Sequence, residues 1–296
     1  MYYDSQVLVT SIGEYLKEII HITQFDNNGN TYFQWYRGHA NKEWELIPKV
    51  QRNFEGSEED LFRMERYYTN DFQARASIFK SPVLSIDEYA SWLTLMQHYG
   101  LPTRLLDWSR SPLVALYFAV SDESQNDKDG CIWMLIPGKL NESQHLEKPS
   151  MIDGKQYDNV YIYNTKHKTI AMMIYPAFRR WKFSSVPEAI TPEDRKFDHR
   201  FENLKDKIAA CYPTEADSRV YNQFAAFTVH NSIKKLADVC DNDTLLRITI
   251  PHEHKDYLRY ELSVCGITES YIYPDLEHLA NEMKNWYSIR STAIKS

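Results

Sequence analysis

Residues 93–120, LTLMQHYGLPTRLLDWSRSPLVALYFAV, form the stretch that decides the fold of this chain. Its first part predicts the end of a helix. Gly100 stands where helices commonly end in a left-handed residue, and Pro102 prevents the helix from continuing. Leu105 and Leu106 then predict a brief apolar strand in the core. A helix, a tight turn and a buried strand therefore follow one another directly.

The last part of the stretch predicts a second helix. Ser111 has the residue type of an N-cap, Pro112 suits the first helical position, and the apolar residues 113–120 predict an almost fully buried helix. Arg104 and Asp107 lie between these apolar segments, where polar groups must pair with one another or with a ligand. We predict an Arg104–Asp107 ion pair that fixes the turn to the core.

The composition is that of a folded soluble protein. The chain has 296 residues, enough for one large domain or two ordinary ones, with 43% hydrophobic and 25% charged residues. Its formal net charge of −7 gives the whole molecule a field that does not attract nucleic acid. A nucleic-acid-binding function is therefore disfavoured, although a local basic groove stays open as an alternative.

Cysteine spacing and hydropathy exclude further classes. The four cysteines are far apart, and no CxxC or Cys/His cluster indicates a disulfide framework or a zinc site. The first residues lack the basic and apolar regions of a signal peptide, and no apolar run reaches the roughly 20 residues of a membrane span. We expect a cytoplasmic protein that has no membrane segment and binds no metal.

The remaining patterns predict an irregular alternation of helices and strands. Helices are predicted over residues 11–24, 57–79, 85–98, 254–264 and 274–287. Strands are predicted over residues 31–38, 130–137, 220–230, 245–251 and 267–273. Since no βα unit repeats, the pattern favours the α+β class over a doubly wound sheet. No convincing boundary divides the chain, so we predict a single domain over 1–296.

Residues from about 138 to 215 are harder to interpret. Ile170–Ile174 is either a strand or a buried helix, and Thr191 carries a helix-start signal. Arg179–Lys182 combines basic and aromatic residues, which is weak evidence for contact with nucleic acid and is also typical of a solvated surface. A turn is predicted over 26–30.

Candidate functional residues lie at the ends of the predicted strands. No GxGxxG, P-loop, HExxH or nucleophile-elbow motif is present. Arg37 suits bidentate phosphate recognition, and Gly38 beside it allows a ligand to approach the backbone closely. Glu269 lies in the last predicted strand, where a carboxylate facing a bound sugar can stabilise an oxocarbenium-like transition state.

Each of these residues also has an ordinary structural interpretation. Arg37 can form a surface ion pair, Gly38 can end a strand in a turn, and Glu269 can face solvent. His98 is either a general base or a histidine at a helix end that bonds a carbonyl. His39 either lines the same cleft as Gly38 or is exposed.

Two segments carry a resemblance to a known family. The motifs WYRG at 35–38 and QHYGLPTRLLDWS at 97–109, followed by SPLVALYFA at 111–119, strongly resemble the FRG domain family, which is named for its Phe/Tyr-Arg-Gly motif. Further similarity lies at 44–48 with Arg52, at 219–223 with 227–230, and at 266–269 with 273–276. Nearly the whole chain thus resembles one FRG domain, with 138–215 as a poorly matched insertion.

The resemblance implies a divergent ADP-ribosyltransferase. Its fold would be a split β-sheet core with a helical insertion between the first strands and a helical C-terminus. In that superfamily an arginine anchors NAD, a glycine backbone holds the nicotinamide carboxamide, a serine or threonine positions a neighbour, and a glutamate bonds the ribose. These roles fall on Arg37, Gly38, Ser109 (or Thr103) and Glu269, of which Arg37, Ser109 and Glu269 form the expected catalytic set.

The expected NAD site includes four further residues around this set, namely His39, His98, Tyr99 and Thr103. The expected function is transfer of ADP-ribose from NAD, as substrate, to a macromolecular acceptor that is a protein or a nucleic acid. The protein would then be a bacterial toxin or phage-defence effector, with an antitoxin or defence-system protein as partner. The alternative is a non-catalytic FRG module that binds a ligand or partner without NAD chemistry.

Overall fold

The computed structural model describes residues 2–293 except 26–28, 30, 77, 80–83, 86–87, 147–162, 165–167, 179–202 and 214–217. Three sequence predictions fall outside these residues. They are the turn over 26–30 apart from Gly29, the basic cluster Arg179–Lys182 and the helix start at Thr191.

Strands and helices alternate irregularly in the described chain. The strands are β1 Tyr3–Asp4, β2 Trp35–His39, β3 Leu105–Ser109, β4 Gly130–Leu135, β5 Tyr163–Asn164, β6 Lys207–Tyr212, β7 Ala225–Asn231 and β8 Leu245–Ile250. The helices are α1 Ile12–His21, α2 Glu58–Ala76, α3 Tyr89–His98, α4 Pro112–Val120, α5 Pro137–Ser143, α6 Lys168–Phe178, α7 Ser218–Asn222, α8 Leu236–Val239, α9 Lys255–Val264, α10 Glu269–Ile272 and α11 Leu276–Ala293.

All eight described strands belong to one mixed sheet in the order β1-β8-β4-β2-β3-β7-β6-β5. The outer pairs β1–β8 and β5–β6 are parallel, and the inner pairs are antiparallel. Helices α2 and α3 are inserted between β2 and β3, and α11 ends the described chain. The predicted α+β class is therefore confirmed. That 1–296 is a single domain stays a prediction.

The sheet opens between its two central strands. β2 pairs with β4 from Trp35 to His39 and β3 pairs with β7 along its whole length, but β2 and β3 share only the register pair Tyr36↔Ser109. The two strands separate beyond that pair, toward Gly38 and Asp107. This opening positions the cleft that is described below.

Three clusters of buried apolar side chains cover the sheet. Because side chains alternate along a strand, Ile132 and Trp133 of β4 belong to opposite faces. Helices α1, α4 and α9 cover one face over β4 and β8, and α3 and α6 cover the same face over β6 and β7. Among the described residues, none of the helices combines the length and apolarity needed to cross a membrane.

The helix ends predicted within residues 93–120 are confirmed. The Ser111 hydroxyl accepts a hydrogen bond from the Val114 backbone N–H, and Pro112 begins α4. Gly100 follows α3 with φ of +77°, a value that only glycine adopts without strain. The segment Ile170–Ile174, for which strand and helix were both open, lies in helix α6.

The predicted Arg104–Asp107 pair is wrong. Arg104 is 1% exposed and forms a bidentate ion pair with Glu65 of α2. Its Nη1 also donates to the Met173 carbonyl at 2.7 Å and to Asn231 Oδ1 at 3.0 Å. Residues three apart in an extended segment point to opposite faces, so Asp107 faces away from Arg104. The buried arginine thus ties α2, α6 and β7 to the start of β3.

The strand predicted over 267–273 is also wrong. Gly266 turns the chain after α9 with φ of +79°, and residues 269–272 form the short helix α10. The alternating apolar residues predicted a strand. Instead, the side chains of Asn222 and Gln223 donate to the carbonyls of residues 271 and 272, so the segment packs beside the end of α7. Similarly, the strand predicted over 220–230 begins only at Ala225, after α7.

A substitution at Gly38 tests how closely α4 packs on β2. A Cβ atom at this position would lie 1.9 Å from the Ala115 carbonyl oxygen and 2.7 Å from the Ala119 nitrogen. We expect Gly38→Ala to lower the free energy of unfolding by at least about 3 kcal/mol, because backbone atoms cannot move aside cheaply. Chemical denaturation measures the loss. The control Gly13→Ala on α1, where the nearest atom is 3.8 Å away, should leave stability unchanged or slightly higher; equal effects at both positions would contradict the packing account.

Candidate functional site

A cleft of about 720 Å³ lies where β2 and β3 separate. Its walls come from both strands, from the segment after β2, and from the residues around α4 and α7. Its lining includes charged and polar residues, among them Arg37, His39, Arg52, Asp107, Ser109 and Arg219.

Arg37 is the central charged group of the cleft. Its side chain is 16% exposed, its Nε donates to His39 Nε2 at 3.0 Å, and its Nη1 donates to the Asp107 carbonyl oxygen. Burial lowers the pKa of Arg37 to about 10, while the Asp107 carboxylate raises that pKa and Arg52 lowers it. The guanidinium is therefore still charged at neutral pH and is held in one orientation.

His39 is a buried neutral partner of this arginine. Burial lowers the pKa of His39 well below its usual value, and the nearby charges of Arg37 and Arg52 lower that pKa further. Its Nδ1 lies 3.1 Å from the Trp44 carbonyl oxygen, so Nδ1 carries the proton and Nε2 is left as the acceptor for Arg37. The imidazole thus fixes which edge of the guanidinium faces the cleft.

Arg52 and Asp107 supply the remaining charge near Arg37. Arg52 is exposed, and within the described part of the chain its guanidinium has no hydrogen-bond or ion-pair partner. The Asp107 carboxylate is half exposed, accepts a hydrogen bond from Gln97 Nε2 at 2.8 Å and lies 3.9 Å from Arg37 Nη1. The Arg52 guanidinium and the Asp107 carboxylate thus both act on the charge of Arg37 in the cleft.

Ser109 and Gly38 line the cleft but also have structural roles. The Ser109 hydroxyl donates to the Gln223 carbonyl oxygen at 2.7 Å and accepts from the Ser111 N–H at 3.0 Å. The open side of Gly38 faces the backbone of α4, which explains the glycine by packing alone. The structure thus brings Arg37, Gly38, His39 and Ser109 together in one cleft, and their functional roles stay predictions.

Glu269 does not line the cleft. It begins α10, and its charge acts on the aromatic residues Tyr117 and Tyr273. Burial raises the pKa of Tyr273, Arg219 lowers that pKa, and both Asp107 and Glu269 raise it. The Tyr273 ring also contacts Arg219 and Phe118, which both line the Arg37 cleft.

The other predicted cofactor residues lie outside the cleft. Thr103 is buried, donates to Gln97 Oε1 at 2.5 Å and accepts from the Leu105 N–H. The His98 carbonyl accepts from Arg219 Nη1 at 3.2 Å, which makes His98 a neighbour of a cleft residue. Tyr99 is exposed and lines a second, aromatic cavity of about 820 Å³ between α2 and α3.

Sequence reasoning from residue types missed the cleft roles of Asp107 and Arg219. In β3 only Asp107 is exposed, and its neighbours are buried. A single charged residue in an otherwise apolar strand is the sequence signal that could have indicated an exposed position here. Arg219 belongs to a segment that carried the family resemblance, but nothing in its spacing pointed to the cleft.

One group of described residues has the spacing of metal ligands. Donor atoms of Asp129, His252 and Glu253 lie within 4.8 Å of one another. The Lys42 ammonium lies 3.0 Å from Asp129 Oδ2 and already balances its charge. None of these three residues lines the cleft, and the expected absence of a metal stays a prediction.

Beneath the cleft, Trp108 connects to a buried histidine. Trp108 Nε1 donates to Thr228 Oγ1 at 3.1 Å, and that hydroxyl lies 3.0 Å from His230 Nε2. The His230 Nδ1 atom has no partner among the described residues. Burial, with the charges of Arg37 and Arg104, lowers the pKa of His230 to about 3.

The family comparison matches the part of the chain that carries most of this site. The FRG domain model matches residues 33–128, which include Arg37, His39, Arg52, Asp107 and Ser109 but neither Arg219 nor Glu269. The segment spans β2, α2, α3, β3 and α4. No curated protein and no solved structure matches the chain. The comparison therefore supports the FRG family over that segment.

The buried His230 predicts a pH dependence of stability. As pH falls below 6.5, the unfolded chain binds a proton on this imidazole that the folded chain does not bind. The free energy of unfolding should fall by about 1.4 kcal/mol per pH unit for this residue, from about pH 6.5 toward 3. The free energy of unfolding is measured by denaturation at several pH values between 6 and 4. Its slope against pH should be smaller by this amount in His230→Asn than in the wild type; equal slopes would contradict the prediction.

Proposed function

We propose that the chain binds a dinucleotide of the NAD class in the Arg37 cleft. The observation that carries the proposal is the state of Arg37: Nε and Nη1 are occupied by His39 and the Asp107 carbonyl, while Nη2 has no partner among the described residues. A guanidinium that is held at Nε and Nη1, and whose Nη2 keeps its N–H groups free, is prepared for a phosphate oxygen.

The surroundings of Arg37 support an anionic ligand of this size. Arg52 adds a second open guanidinium at the same end of the cleft, and such charge-assisted hydrogen bonds are about twice as strong as neutral ones. The cleft volume of about 720 Å³ lies within the range of roughly 300–1,000 Å³ that is typical of small-molecule sites. Trp44 and Phe118 add aromatic walls for the rings of the ligand.

We further propose ADP-ribosyl transfer as the reaction. The bond between nicotinamide and the ribose C1′ would break with its electron pair leaving on nicotinamide, while an acceptor nucleophile bonds C1′ and loses its proton. A nearby carboxylate would stabilise the developing cation. The FRG resemblance and the opening of the sheet between β2 and β3 support an ADP-ribosyltransferase-like fold as part of this proposal.

Asp107 and Glu269 are the two candidates for the carboxylate that stabilises the developing cation. The resemblance assigns this role to Glu269, whereas the geometry favours Asp107, which lines the cleft and lies 3.9 Å from Arg37 Nη1. Ser109 would act only by holding the turn after β3, since its hydroxyl is already bonded on both sides. The acceptor, and a role as toxin or phage-defence effector with a partner protein, stay predictions.

A non-catalytic binding module is the second candidate. The observation that favours it is that Glu269 lies on α10 and not among the residues that line the cleft. Such a module would bind the ligand through the same arginines and would leave its glycosidic bond intact.

Binding is tested by the rise in melting temperature with NAD, since a ligand of the folded state alone stabilises it. Arg37→Lys should raise the Kd about 10- to 100-fold because the free Nη2 donor is lost. His39→Gln keeps an acceptor for Arg37 near the Nε2 position, so this variant should bind NAD almost normally. His39→Asn keeps only the donor to the Trp44 carbonyl, so this variant should bind NAD weakly. The control Arg63→Lys on α2 should bind like the wild type; no shift at millimolar NAD would contradict the proposal.

Transfer is tested by nicotinamide release from NAD in the presence of cell lysate. We expect Asp107→Asn to slow release at least about 100-fold, as loss of one transition-state contact does in other enzymes. Glu269→Gln tests the competing assignment, and Glu43→Gln, a cleft carboxylate away from Arg37, is the matched control. Binding without any release by the wild type would exclude the transferase and leave the binding module.

A further inference from the structure

Phe224 occupies a backbone position that normally belongs to glycine. It follows α7, with its N–H bonded to the Tyr221 carbonyl at 3.0 Å and the Gln223 N–H bonded to Arg219, so it ends the helix with φ of +50°. Glycine is the usual residue at such a helix end, because a bulky side chain is strained in the left-handed region. Contacts of the Phe224 side chain must therefore offset this strain.

The ring of Phe224 belongs to an exposed aromatic cluster. The Tyr221 ring, 71% exposed, lies 6.4 Å from it at an interplanar angle of 25°. The Arg110 guanidinium carbon lies 5.9 Å from the Phe224 centroid and 5.7 Å from that of Tyr212. The backbone N–H of Arg110 also donates to the Phe224 carbonyl at 2.9 Å, which fixes the cluster to the end of β3.

The cluster stands at the rim of the Arg37 cleft. The chain neighbours of Phe224, Gln223 and Ala225, both line that cleft. The Ser109 hydroxyl, one residue before Arg110, donates to the Gln223 carbonyl at 2.7 Å. Phe224 and Arg110 each adjoin a residue of the cleft lining, although their own side chains are not part of that lining, so the aromatic rings lie just beyond the rim.

We propose that Tyr221, Phe224 and Arg110 form a stacking site for the adenine base of the nucleotide bound in the cleft; this inference rests on the proposed function. Nucleobases stack on exposed aromatic rings, and an arginine beside the rings adds a cation–π contact. The net charge of −7 makes a single nucleotide a better match than a nucleic acid strand, which needs an extended basic groove.

The substitution Phe224→Gly separates stacking from folding. It removes the ring and relieves the backbone strain, so its melting temperature should equal or exceed that of the wild type. Its Kd for NAD should rise about 5- to 150-fold, the range expected for the loss of one base–aromatic stack. Binding of inorganic pyrophosphate, which has no base, should stay unchanged in this variant and weaken in Arg37→Lys.

Tyr221→Ala provides an independent variant, and Tyr260→Ala, an exposed tyrosine on α9, provides the control. Saturation-transfer NMR should show strong transfer from the wild-type protein to the adenine H2 and H8 protons, and weak transfer from Phe224→Gly. Unchanged NAD affinity in Phe224→Gly, or an equal loss for NAD and pyrophosphate, would overturn the stacking site while the Arg37 proposal stands. No binding of either ligand to the wild type would overturn both.

Discussion

The hydrogen bonds of Arg37 are the interaction on which the site depends. Between β2 and β3 the backbone ladder ends after one register pair, and the Arg37 side chain bridges the opening by donating to the Asp107 carbonyl. A charged side chain thus replaces backbone pairing at the centre of the sheet. His39 completes the arrangement, because burial keeps it neutral and leaves Nε2 as the acceptor for Arg37.

Packing on both sides of the opening keeps the two strands in place. On the β2 side, α4 contacts Gly38 so closely that a Cβ atom would overlap its backbone. On the β3 side, Arg104 pairs with Glu65 and bonds α6 and β7, so the start of β3 is fixed by a buried ionic network. Breaking such a buried pair typically costs about 3–5 kcal/mol, whereas exposed pairs contribute little. The two strands that flank the cleft are therefore each held by packing or by buried hydrogen bonds.

Much of this fold could be predicted from local signals. Helix caps and the spacing of apolar residues depend on neighbouring residues only. The caps at Ser111 and Gly100, and the apolar patterns of α4 and β8, were therefore predicted correctly. Residues 267–273 show the limit, since the same apolar alternation suits a strand or a short helix, and contacts with residues 222 and 223, distant in sequence, decide between them. The partner of Arg104 was likewise set by α2, a contact distant in sequence. For the site, the position of Arg37 and His39 in β2 follows from the local pattern, and their role in a ligand site stays a prediction. The exposure of Asp107 depends on where β2 and β3 separate.

A crystal structure of the chain with bound ADP-ribose tests the central claim most directly. The account predicts diphosphate oxygens within hydrogen-bonding distance of Arg37 Nη2 and beside Arg52, with the Arg37–His39 hydrogen bond intact. A complex in which ADP-ribose lies outside the opening between β2 and β3, or in which Arg37 makes no contact with a phosphate, would contradict it.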